Sequence, residues 1–128
     1  MVVRCLRMPP YWLTFVEQHH LIGREFSGPV QSDLSGVGAE IEILDERGIQ
    51  TEQTELYPGI AVSKAGFVPV GGCGLGSGDP YFICVRDGEG GSLYRIYHEE
   101  VTDETYDVAR AIAIVLKDYR ELLKYADT

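Results

Sequence analysis

The sequence has no long apolar run, no paired-cysteine spacing, and few bases beside its acids. Its longest uninterrupted apolar stretch, Ala111 to Leu116, falls far short of a membrane helix, which needs about 18–20 residues. The opening MVVRCLRMPPYWLTFV starts basic, but Pro9 and Pro10 interrupt it before an apolar core of signal-peptide length, and no small-residue cleavage site follows. A cytoplasmic protein without membrane contact is therefore expected. Three cysteines, Cys5, Cys73 and Cys84, are odd in number and widely spaced, which excludes a disulfide framework and reads as buried or bystander thiols.

Catalytic and cofactor motifs are lacking too. No CxxC, HExxH or HxH occurs, and the adjacent His19 and His20 would point about 100° apart on a helix. No metal site is expected, although ligands joined only by folding would escape this test. The glycine-rich stretch 71–78 has no GK[ST], and its glycines miss the GxGxxG spacing. Leu75 stands where a nucleophile elbow around Ser77 would need glycine. The segment reads as turn chemistry, with no cofactor. A Cys–His nucleophile would need Cys73 or Cys84 beside His98; Cys84 alternates with Phe82 and looks like core, while Cys73 is the more exposed of the two. No catalytic residue is expected. Eleven Lys and Arg against twenty Asp and Glu give a formal charge of −9 and a pI near 4.7. That balance opposes direct binding of a phosphate backbone and suits a basic partner.

What is present is an ordinary globular composition: 128 residues, 45% hydrophobic and 24% charged, the size of a single domain over 1–128. Pro9 and Pro10 suit the first turn of a helix, and Trp12, Phe15 and Val16 recur at helical steps, ending before Gly23. FSGPVQSDLSGVGAE then reads as a loop. Glu40–Leu44 alternates acid and isoleucine, the pattern of a strand with one wet face. Residues 45–48 read as a turn, with TEQTEL continuing as polar strand or loop. IAV (60–62) and GFVPV (66–70) are candidate strands, Pro69 placing the second near an edge or at a bulge. YFICVR and SLYRIYH, joined by DGEGG, form the clearest hairpin. A long C-terminal helix capped by Thr102 or Asp103 is expected from the stripe Val108, Ile112, Val115, Leu116, Tyr119, Leu123 and Ala126. The fold class is α+β: an antiparallel-rich sheet packed with an N-terminal helix and a long C-terminal helix.

The acids are unevenly placed. Residues 31–64 carry seven acids and two bases, residues 87–107 carry seven and one, and residues 110–124 reverse the sign with four bases against two acids. Solvated faces and helix starts account for part of this; a focused negative field also speeds docking of a basic protein. Tyr81, Tyr94 and Tyr97 lie in the hairpin, and Tyr94 and Tyr97 have opposite parity, so at least one should leave the core and be free to anchor an interface.

MPPYWLTFV resembles the LP-x-x-Y-x-x-F-[LV] opening of the SUKH superfamily, which joins yeast cell-wall-synthesis regulators with bacterial immunity proteins. YPGI, GFVPVGGCGLGSGDPYFICV and GGSLYRIYHEE are similar to that family's middle, and DYRELLKY to its closing helix. The order and spacing of these motifs carry the resemblance more than any one of them. It departs where HHLIGREFSG replaces the family's Asn-Gly-Gly and where the family's helix ahead of the LP element is expected. The resemblance implies an α+β domain without recognised catalytic residues, whose bacterial members neutralise toxins, many of them basic nucleases, by binding. The expected function is a non-enzymatic immunity protein binding a cognate basic toxin. The alternatives are a regulatory or scaffolding module for a cellular protein, and a small hydrolase or nucleotide-binding protein using the glycine loop and His98. The expected protein-binding surface comprises Glu40, Glu42, Asp79, Tyr81, Tyr97, Glu99, Glu100, Asp103 and Glu104.

Overall fold

A computed structural model of the chain describes residues 9–28, 39–54, 62, 65–73, 80–97, 101 and 111–125. Helix α1 (Pro10–Gln18) starts on the two prolines: Pro9 is the N-cap residue, and its carbonyl accepts from Trp12 N and Leu13 N at 3.1 and 3.2 Å. Pro10, the first helical residue, has no amide hydrogen to leave unsatisfied. Trp12, Phe15 and Val16 are buried. A nine-residue helix is marginal on propensity alone, so this apolar stripe holds it in place, each large side chain contributing about 1.5–3 kcal/mol on burial. The helix ends ahead of Gly23, as expected, through a left-handed His20 (φ 54°) and Gly23 (φ 81°).

Six strands follow, β1 (Glu25–Gly28), β2 (Ala39–Ile43), β3 (Phe67–Cys73), β4 (Tyr81–Cys84), β5 (Leu93–Ile96) and β6 (Ile112–Leu116), every neighbouring pair antiparallel and in chain order. The alternation at 40–44 gives β2, with Ile41 and Ile43 buried and Glu42 exposed. The expected hairpin is β4–β5, registered Tyr81 to Arg95, Phe82 to Tyr94 and Ile83 to Leu93. Pro69 sits at a register shift in β3, an interior strand, so of the two positions open to it the bulge is the one taken.

Four expectations are corrected. Phe26–Gly28, read as the start of a loop, belong with Glu25 to β1 and pair with β2 because Phe26 has a core to enter. Residues 45–48, read as a turn, and TEQTEL, read as polar strand or loop, give way over the described residues to helix α2 (Glu46–Thr54); Asp45 Oδ1 accepts from Gly48 N at 2.8 Å, an N-cap bond, and Ile49 packs on the core. Val62, read as strand, is helical and buried, while Ile60 and Ala61 lie outside the described residues. The long C-terminal helix gives way to strand β6 and a 3-10 helix over Tyr119–Tyr125. Ile112, Ile114 and Val115 are β-branched and favour a strand, and the chain breaks at Lys117–Asp118 before Tyr119. The α+β class stands; Thr102, Asp103, Val108 and Ala126 of the expected helix lie outside the described residues.

The sheet buries both faces unequally. One face packs Ile41, Ile43, Val68, Val70, Tyr81, Ile83, Leu93 and Val115 against Trp12, Phe15 and Val16 of α1 and Tyr119 and Leu122 of the 3-10 helix. The other carries a smaller cluster, Val62, Phe82, Ile96, Val101 and Ala111, with Phe67, Tyr94 and Ile112 against it. Gly71 lets β2 approach β3: a Cβ there would stand 2.5 Å from Ile41 Cγ2.

Candidate functional site

Two places in the fold have the makings of a site. The first is the solvent side of β1 and β2. Ile43 N donates to Arg24 O and Leu44 N to Val70 O, so Ile41 and Ile43 bond toward β1 and Glu42 toward β3. Glu25 and Glu42, directly opposite in register, are therefore a non-hydrogen-bonded pair, the arrangement in which cross-strand side chains come closest. Both are exposed, and among the described residues neither makes an ion pair. Like charges directly opposite one another destabilise a sheet, so this exposed pair adds nothing favourable to the strand pairing. Glu40 is two residues further along β2, opposite Ser27. Glu25 is not singled out from sequence because the loop read there begins at Phe26 and leaves no strand for it to join; the signal is Phe26 itself, one apolar residue alternating with Glu25 and Ser27.

The second is a cleft of about 420 Å³ where α1 meets the 88–91 turn and the 3-10 helix. Tyr11, Phe15 and Tyr119 form its aromatic wall, with His19, Glu89 and Arg120 at its polar rim. Tyr11 and Tyr119 stack at 6.2 Å and 14°, and His19 meets Phe15 edge-on at 5.4 Å. Tyr119 N donates to Gly91 O at 2.8 Å, fixing the turn against the helix. Burial pushes the Tyr11 and Tyr119 phenols up. Arg120 grips Asp118 through Nη2 at 2.6 Å, and this hydrogen-bonded guanidinium holds the Asp118 carboxyl below its ordinary range. Gly90, at φ 76°, leaves the room Arg120 Nη2 occupies.

The structure does not gather the expected surface at one place. Glu42 is exposed on β2, and Tyr97 is half-buried beside β6, its N donating to Ala111 O at 2.8 Å. Tyr81 is a correction: it is fully buried, its ring 5.2 Å from the Arg95 guanidinium carbon and its hydroxyl accepting from Arg95 Nη2 at 3.0 Å. It is a core residue because all four side chains of β4 are covered, one face by α1 and the other by the smaller cluster. Tyr94 is half-buried and donates to Asp87 Oδ2 at 2.6 Å; burial, helped by that bond, pushes its phenol up to about 12. Asp79, Glu99, Glu100, Asp103 and Glu104 lie outside the described residues, as do His98 and the glycine loop at 74–79.

Cys84 is free and buried, its Sγ 3.9 Å from Ala65 O. Among the described residues no three His, Cys, Asp or Glu side chains cluster as metal ligands, and no helix there is long and apolar enough to cross a membrane. Neither a sequence profile of a known family, nor a curated protein, nor a solved structure matches the chain.

Proposed function

We propose that this is a non-enzymatic, cytoplasmic protein-binding domain that docks a basic partner through the carboxylates of β1 and β2. The observation that carries the reading is the exposed Glu25–Glu42 pair, two like charges opposed without a counter-ion among the described residues. A cation brought by a partner would relieve their repulsion, and a net charge of −9 would steer that partner in. The resemblance of MPPYWLTFV and the segments after it to SUKH proteins supports reading the partner as a toxin and the domain as its immunity protein.

Co-expression with the product of the adjacent gene, followed by affinity capture, tests the partner. A basic toxin retained on the column supports the reading; no complex with any neighbour-encoded toxin sinks it. The double variant Glu25→Lys/Glu42→Lys should slow association at low salt by roughly tenfold or more and leave the melting curve intact. Glu99→Lys, Glu100→Lys and Asp103→Lys together test the second acidic run in the same way. Association unchanged by both sets at low ionic strength would remove the electrostatic surface from consideration.

A further inference from the structure

Among the described residues the sheet ends in two strands with one neighbour each, and the apolar one carries neither a charge nor a proline. Among the described residues β6 pairs only with β5. Tyr97 N donates to Ala111 O, while Ile96 N turns the other way to Pro80 O. Antiparallel bonding alternates along a strand, so Ala111 and Ala113 bond inward, and Ile112 and Ile114 aim their N–H and C=O groups out of the edge. No charged residue occurs from Ala111 to Leu116, and Ile114 is 41% exposed. Native sheets blunt such edges with a charge, a proline or a bulge. Here the only irregularity, opposite Leu93 and Tyr94, begins past Ile114 and leaves Ile112–Ile114 regular.

We propose that this edge pairs with β6 of a second copy of the chain, antiparallel, about a two-fold axis through Ala113. That placement sets Ile112 of each copy opposite Ile114 of the other, uses all the outward groups of both residues, and closes four N–H···O bonds. The isoleucines meet on one face, extending the smaller cluster that Ile112 already joins, and the small Ala113 sits on the axis on the other face. β-Branched cross-strand pairs of this kind stabilise sheets. The contact is isologous and closes after two copies. Pairing β6 with β1 of a second copy would instead press Glu25 against apolar neighbours and leave growing ends, so β1 is the wrong occupant. A basic partner is wrong as well, because β6 offers it no charge. The inference stands apart from the carboxylate docking reading, and the two respond to salt in opposite ways: copies of charge −9 repel, so self-pairing tightens as salt rises, while docking of a basic protein weakens.

Sedimentation equilibrium of the full chain over a range of concentrations, at low and high salt, tests this. A monomer–dimer equilibrium that strengthens with salt is expected. Ile114→Lys should weaken it by roughly tenfold or more, with circular dichroism confirming the fold. Ala113→Cys should give a covalent dimer under mild oxidation, since a non-hydrogen-bonded pair on the axis brings the two Cβ atoms within disulfide reach; the parent chain controls for Cys5, Cys73 and Cys84. If Ile114→Lys unfolds, Ile114→Thr and the cross-link still decide. A monomer at every concentration and salt, association unchanged in the position-114 variants, or open-ended assemblies would each overturn the proposal.

Discussion

β1 and β6 hold equivalent positions at opposite ends of one sheet, each with a single neighbour among the described strands, yet their chemistry is opposed. β1 presents Glu25 beside Glu42 of β2, a charged edge that refuses another strand and attracts cations. β6 presents Ile112 and Ile114 and no charge, an edge that invites a strand and ignores cations. The strongly acidic composition thus stops short of the strand itself, no charge falling between Ala111 and Leu116. A bulk charge of −9 describes solubility; its local absence describes where contact without charge can occur.

Three substitutions would probe how far the edges are independent. Trp12→Ala should have the largest effect, costing about 3–5 kcal/mol, because Trp12 lies in the cluster that joins Phe26 of β1 to Val115 and Leu116 of β6. Urea unfolding should register the loss, and hydrogen exchange should quicken at both edges together; loosening confined to one edge would mean that α1 does not couple them. Gly71→Ala should come next, at about 1–3 kcal/mol, since its Cβ meets Ile41 Cγ2 and then Tyr81 Cβ. Exchange should rise in β1 and β2 and spare β5 and β6. Uniform loosening would show the sheet to be a single cooperative unit.

The smallest effect belongs to Tyr94, which is registered with Ile114 of β6. Its phenol, raised from an ordinary 10.0 to about 12, is a proton holder stabilised by folding. Its contribution is therefore complete below pH 10 and is lost as pH climbs through 12. Tyr94→Phe should flatten the alkaline fall of the urea midpoint over that window and leave neutral stability little changed. An identical alkaline fall in the variant would assign it to other groups.

The sequence made β2, β4, β5 and α1 legible, because each rests on a short-range rule: alternation, a glycine turn between apolar runs, or prolines at a helix start; at Pro69 it left an edge and a bulge both open. The closing segment was misread because Ile112, Val115, Leu116, Tyr119 and Leu123 satisfy a helical stripe, and the β-branching of 112–115 argued against it more quietly. α2 was misread because Gly48 suggested a turn, whereas Asp45 caps the helix through that same amide. Glu42 was legible as a wet residue of a strand. Its opponent Glu25 was not, since cross-strand register is a product of the whole sheet and no local pattern encodes it. Tyr81 failed as a surface residue for a related reason: parity assigns a side chain to a face, but only the packing of α1 and Tyr119 on that face decides whether it is wet.

The buried Arg95 has one more consequence, which concerns how the strands find their alignment. Its guanidinium lies over the Tyr81 ring and donates to that residue's hydroxyl, at a position 1% exposed. A slip of β5 by one residue along β4 would carry the cation to the opposite face, among Phe82, Val62 and Val101, where burying a charge without such company is severely unfavourable. Leu93 or Ile96 would tolerate either face; Arg95 does not. A single long basic side chain therefore acts as a register key for the central hairpin, making misaligned pairings self-rejecting as the sheet assembles.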